Sequence, residues 1–134
     1  KSVFGYSKTS LVNIEVEDTA VVILKFNNGS LGIIEATTAT RPRDLEGSLS
    51  ILGEGGSVVI EGYAVNKIKT WEFTDMQKSD GEIMEKYSSN PPNVYGYGHE
   101  AFYNNVIGCL INHNEIMIDG TEGLRSIKVL NAIK

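Results

Sequence analysis

The sequence predicts an α+β domain: a largely antiparallel, mixed open-faced sheet of about six strands with two helices packed on one face. Three observations lead there. Residues 2–73 break into short runs rich in Val, Ile, Thr and aromatics, separated by turn residues at intervals of roughly ten. Residues 75–98 are polar, contain Pro91-Pro92 and show no strong period. Beyond them, apolar residues recur twice at helical spacing. Strands followed by helices, without βαβ alternation, are the order of an α+β fold. At 134 residues, 41% hydrophobic and 22% charged, the chain can bury one core. It is too short for a nucleotide domain plus a substrate domain.

Each element has its own local cause. The run from Asp18 to Phe26 puts Ala20, Val22, Leu24 and Phe26 on one face, with Val21 and Ile23 on the other before Lys25 reaches solvent. That pattern describes a central strand, half-covered on its second face. Asn27-Asn28-Gly29-Ser30 tolerates the positive φ of a tight turn, so Leu31 to Thr40 returns as the hairpin partner. Arg41-Pro42-Arg43-Asp44 breaks the ladder and Gly47 to Leu52 resumes it; Gly53-Glu54-Gly55-Gly56 turns the chain into Ser57 to Glu61. A last strand, Asn66 to Phe73, is expected to carry Lys67, Lys69, Trp71 and Phe73 on one side. The first helix, His99 to Ile111, has a stripe of Phe102, Val106, Cys109 and Leu110 widened by Tyr103 and Ile107. The second begins near Asp119 and Glu122, which have capping-box spacing. It aligns Leu124, Ile127, Leu130 and Ile133, with Lys128 and Lys134 outside. Two helices cover only one side of such a sheet, so some of Val21, Ile23, Ile34, Val59 and Ile68 require a partner surface. Homo-oligomerisation through the open face is the expectation.

Composition narrows the function. Twelve basic and seventeen acidic residues give a net charge of −5, and the basic residues are scattered apart from Arg41 and Arg43, so no nucleic-acid footprint is present. Apolar runs such as AVVIL are too short for a membrane span. The single cysteine, Cys109, reads as a small core residue, and the cytoplasm is the simplest compartment. Lys1 opens the chain without a methionine, and the final amphipathic run reaches Lys134 without a stop signal. The whole of 1–134 is accordingly read as a single domain cut from a longer protein.

The most suggestive motif is Gly96-Tyr97-Gly98-His99-Glu100-Ala101, which spells G-x-G-x-x-A, with Asp119 where a ribose-binding acid is expected. A dinucleotide turn needs a buried parallel strand ending just before it, and Ser88 to Tyr95 has two prolines and almost no aliphatic residues. The stretch therefore reads as a glycine-flexed entry to an ordinary helix. The acidic group Glu15, Glu17 and Asp18 reads as a solvated strand edge in preference to a cation site, and no metal is assigned. His99 and His113 are fourteen positions apart on one helix, about 20 Å by the helical rise, and cannot share a site within one chain. His113 reads as a helix C-terminal cation or a solvated residue. His99 lies in a first turn beside Tyr95 and Tyr97, where free amides favour an anionic ligand.

Taken in order, VEDTAVVILKFNNGSLGIIEATTATRP, LEGSLSILGEGGSVVIEG, GHEAFYNNVIGCL and DGTEGLRSIKVLNAIK resemble the C-terminal domain of the Gfo/Idh/MocA oxidoreductases. The resemblance covers nearly the whole chain, and GHEAFYNNV is most similar to members acting on nucleotide-linked sugars. It implies an N-terminal Rossmann domain, which this chain lacks, and NAD- or NADP-dependent oxidation or reduction of a sugar or related polyol. It also implies a catalytic lysine in an E-K-P motif of that missing domain and a D-x-x-x-H motif before the sheet. This chain has only Glu85-Lys86-Tyr87, and none of Asp18, Asp44, Asp75, Asp80 and Asp119 has a histidine four positions later.

The expectation is a substrate-binding and oligomerisation domain of an NAD(P)-dependent sugar dehydrogenase. It carries no catalytic residue, binds no cofactor and is inactive on its own. Arg41, Arg43, Tyr97 and His99 are the candidate substrate contacts; the guanidinium groups suit a phosphate or carboxylate. The rival is a self-contained module that assembles through its sheet without enzymatic activity.

Overall fold

The computed structural model describes residues 2–77, 79–89, 91–93 and 95–133. Along them run β1 (Ser2–Lys8), β2 (Thr19–Lys25), β3 (Leu31–Thr37), β4 (Gly47–Gly53), β5 (Gly56–Gly62), β6 (Lys67–Phe73), α1 (Asp80–Lys86), α2 (Gly98–Asn112) and α3 (Gly120–Ile133). The six expected strands are present as two three-stranded sheets, β1-β2-β3 and β4-β5-β6, and every pairing is antiparallel. The chain divides into two compact units, one of the residues up to Asp44 with those from Ile116, the other of Leu45–Glu115.

In the first unit β2 is central, as its two-faced pattern requires. Val22, 2% exposed, pairs with Gly5 and Ile34 in the row on which α3 packs. Gly5 matters there because a Cβ at that position would come within 3.3 Å of Ile133 Cγ2. The opposite face is bare. Phe4, Ile23 and Ile33 form one row and Tyr6, Val21 and Glu35 the next, with Leu31 beside Lys25. These six apolar side chains are 48 to 77% exposed. Of the residues among which that side was expected to find its apolar surface, Val21 and Ile23 lie on it, while Ile34 lies with Val22 on the α3 side, because the side-chain period of a strand is two.

Asp18 departs from the solvated acidic edge read from its neighbours. Its carboxylate is buried; Oδ2 accepts from the amides of Ser10 (2.9 Å), Leu11 (2.7 Å) and Val12 (2.9 Å), and Oδ1 from the Thr19 hydroxyl (3.0 Å). The β1–β2 connection thus winds around one side chain, while Glu15 and Glu17 stay exposed. At α3, Asp119 Oδ1 accepts from the amides of Thr121 (2.8 Å) and Glu122 (3.1 Å). Only that half of the capping box forms, since the Glu122 carboxylate pairs with Arg125 one turn on. Lys134, expected on the outer side of this helix, lies outside the described residues.

In the second unit β4 and β5 close a hairpin at Gly53 and Gly56. Gly56 is obligatory: a Cβ there would fall 2.4 Å from the Glu72 carbonyl oxygen. The β5–β6 register slips between Val59 and Ile60, leaving Lys69 unpaired. This bulge corrects the expectation that Lys67, Lys69, Trp71 and Phe73 share a side. An extra residue shifts the alternation by one, so Trp71 and Phe73 join Ile68 opposite Val58, Ile60 and Gly56, while Lys67 stands opposite Glu61. Lys69 pairs with Glu61 at 3.0 Å.

The polar segment 75–98, which shows no strong period, contains α1. The buried Asp80 carboxylate accepts from Trp71 Nε1 (3.1 Å) and the Gln77 amide (2.6 Å), which pins this short helix to β6. Seven residues carry no period that the sequence could display. In α2 no residue is buried; Phe102, Tyr103, Ile107 and Leu110 are 44 to 71% exposed. Cys109 is half-buried and not the core residue expected; its thiol donates to the Glu115 carbonyl (3.2 Å). His113 ends the helix in the left-handed region at φ 55°, its amide donating to the Cys109 carbonyl.

Candidate substrate-binding site

The four candidate contacts fall in separate units, Arg41 and Arg43 in the first, Tyr97 and His99 in the second. Both arginines are exposed on the segment that follows β3. The Arg41 guanidinium donates to the Thr40 carbonyl (2.8 Å), an in-chain contact that leaves most of its donors for a ligand. The Thr40 hydroxyl lies 3.5 Å from Asp44 Oδ1, and Ala39 is buried next to this turn.

At the other group, Tyr97 is the residue preceding α2 and makes no side-chain cap. His99 is exposed in the first turn, its ring edge-on to Tyr95 at 6.3 Å. Gly96 takes φ 67° and lies against Ala64. The Tyr95 amide donates to Asn93 Oδ1 (3.0 Å) and the Gly96 amide to the Asn93 carbonyl (3.4 Å). Among the described residues no strand leads into Gly96; those between α1 and α2 form only turns, bends and irregular chain. The geometry of a dinucleotide turn is therefore not met by the Gly96 to Ala101 stretch.

Among the described residues no three His, Cys, Asp or Glu side chains gather closely enough to hold a metal ion. The Asp18 carboxylate is held well below the usual carboxylate range by the amides of Leu11, Val12 and Ser10 and by the Thr19 hydroxyl, against the opposing effect of burial. It serves the loop. Exposed guanidinium groups, phenols and an imidazole can bind an oxygen-rich or planar ligand; they form no aligned proton-transfer chain. Tyr63, half-exposed, escaped the sequence reading because only the contact of its neighbour Ala64 with Gly96, thirty-two positions away, brings its turn to the entry of α2.

Among the described residues, two antiparallel three-stranded sheets and three helices make an α+β fold consistent with an oxidoreductase C-terminal domain. The chain belongs to the Gfo/Idh/MocA family: the model described as the oxidoreductase family C-terminal alpha/beta domain matches residues 1–134. Among solved structures it is similar to the WlbA dehydrogenase from Bordetella pertussis in complex with NADH and UDP-GlcNAcA, at 42% identity and a TM-score of 0.85 over 98% of this chain and 38% of that one. The WlbA dehydrogenase from Chromobacterium violaceum, in complex with the same two ligands, matches at 42% identity and a TM-score of 0.84, over 98% of this chain and 36% of that one. The chain thus spans less than two fifths of either structure. No curated protein matches it. Among the described residues no helix is long and apolar enough to cross a membrane.

Proposed function

We propose that residues 1–134 form the substrate-binding and oligomerisation domain of a longer NAD(P)-dependent dehydrogenase that acts on a nucleotide-linked sugar in the cytoplasm. The observation that carries this reading is the 42% identity across 98% of the chain with a dehydrogenase solved with NADH and UDP-GlcNAcA. The parent reaction is hydride transfer between a sugar carbinol carbon and a nicotinamide, which the cofactor supplies when bound to a Rossmann domain outside this chain. What this chain contributes is grip. Arg41 and Arg43 offer planar, bidentate donors to phosphate or carboxylate oxygens, and Tyr97 and His99 offer a phenol and an imidazole to the remainder of the ligand. The catalytic base lies outside the chain, so 1–134 alone binds no cofactor and turns over no substrate.

The bare face of the β1-β2-β3 sheet supports the oligomer. Phe4, Tyr6, Val21, Ile23, Leu31 and Ile33 make a contiguous apolar surface of a kind that soluble monomers rarely leave open, and a second copy supplies a matching cover.

The test has two arms. The full-length protein should reduce NAD or NADP with UDP-GlcNAcA-type sugars, followed by the absorbance of the reduced nicotinamide; no turnover with any nucleotide-linked sugar would count against the reading. Calorimetry of 1–134 with NADH should show no saturable heat, and tight binding would overturn the division of labour.

A further inference from the structure

Two segments of the second unit meet at one corner. The β5–β6 turn brings Tyr63 and Ala64, and the entry to α2 brings Tyr95, Gly96 and Tyr97. They touch where a Cβ on Gly96 would stand 3.2 Å from the Ala64 Cβ, so the approach depends on glycine. The seam is fastened further back: the Ser89 amide donates to the Asn66 carbonyl (3.4 Å), and Asn66 Nδ2 donates to the Ser89 carbonyl. The turn itself is strained, with Val65 at φ 51°, a region a β-branched residue enters only when its surroundings compel it.

This corner is held in shape, yet its large side chains are not used to fill it. Tyr63 is 50% exposed, Tyr95 73% and Tyr97 62%, and the His99 ring stands edge-on to Tyr95. Three of the six tyrosines of the chain therefore leave half or more of their surface open to solvent, on two segments in contact. A phenol offers a flat apolar face with a hydroxyl at its rim, and a planar heteroaromatic ring with polar edges uses both. Base-on-aromatic stacking is the interaction such a surface performs best.

We propose that Tyr63, Tyr95 and Tyr97 form a stacking platform for the nucleobase of the nucleotide-linked substrate, with His99 at its margin as an edge hydrogen-bonding group. The inference rests on the nucleotide-sugar reading above and adds the moiety held and two residues, Tyr63 and Tyr95, that hold it. The ribose, diphosphate and sugar then extend away from the corner.

The experiment uses the full-length protein, with UDP and UDP-GlcNAcA as calorimetric probes. Tyr63→Ala and Tyr95→Ala should each weaken UDP binding by roughly 5- to 150-fold, the span expected for one lost stacking partner. Tyr63→Phe and Tyr95→Phe, which keep the ring, should bind UDP within about threefold of the unaltered protein, a rescue that a merely structural role of the hydroxyl would not give. Tyr87→Ala, an exposed tyrosine at the end of α1, is the control and should change nothing. UDP affinity unchanged in both alanine variants overturns the platform, including the case in which they alter only assembly or docking of another protein segment. If the unaltered protein binds UDP-GlcNAcA while the alanine variants match it, the platform alone falls. If it binds neither UDP nor UDP-GlcNAcA, the nucleotide-sugar reading falls with it.

Discussion

The Asp18 carboxylate gathers three consecutive amides and a hydroxyl while almost fully removed from solvent, and that arrangement sets the direction of its pH dependence. All four donors favour the charged form, so the folded state holds this acid below the ordinary carboxylate value of about 4 that it has when unfolded. A depressed folded value means that the unfolded chain takes up the proton first on acidification. The stabilisation is therefore complete above about pH 4 and is lost as the pH falls further. Urea midpoints measured by circular dichroism should drop below about pH 4 in the unaltered chain. Asp18→Asn should be less stable at neutral pH and show a shallower acid limb. A variant with the same midpoint and the same acid limb would show that the loop does not depend on this charge.

Helix α1 exists because a side chain outside its own stripe is captured by a strand. Asp80 sits in its first turn, where a carboxylate suits the free amides, but its bonds run to Trp71 Nε1 and to the Gln77 amide. Asp80→Ala leaves the indole N–H and that amide without an acceptor and should cost about 1–3 kcal/mol. The loss should be read first as faster hydrogen exchange at residues 83–86, before the β5–β6 ladder opens. Equal exchange in the variant and the unaltered chain would show that α1 is held by its apolar contacts alone. The same dependence on a neighbour explains β6, where one unpaired residue, Lys69, turns Trp71 and Phe73 onto the Ile68 side.

The bare apolar face of the β1-β2-β3 sheet exposes Phe4, Tyr6, Leu31 and Ile33 at 72 to 77% each, which is the ground for the proposed oligomer. Sedimentation of the unaltered chain should show a stable oligomer. Ile33→Glu, placed at the most exposed of these positions, should shift it toward monomer with the circular dichroism of the fold retained. A monomer in the unaltered chain would remove the sheet face as the interface, while an Ile33→Glu oligomer as tight as the original would move the interface elsewhere. The substitution lies on the side away from α3, so it leaves the Val22 row untouched.

Much of this architecture was legible in the residues. Asn28-Gly29 and the Gly53 to Gly56 stretch announced their turns, the alternation of β2 announced a central strand, and the order of segments announced the family. These features depend on neighbours within a few positions, where φ preference and side-chain period act directly. The failures share the opposite property. The burial of Asp18, the capture of α1 by Trp71, the β6 bulge, the half-open position of Cys109 and the meeting of Ala64 with Gly96 each depend on contacts made across a loop or between elements, beyond the reach of φ preference and side-chain period. Of the candidate site, the chemistry of Arg41, Arg43, Tyr97 and His99 could be read in advance; their placement in separate units could not. Local sequence decided which elements form and which residue types the chain can offer to a ligand. Only the folded contacts decided which strand face stays bare, which acids become anchors and which aromatic rings share a corner, because those outcomes are pairwise energies between residues that the sequence keeps apart.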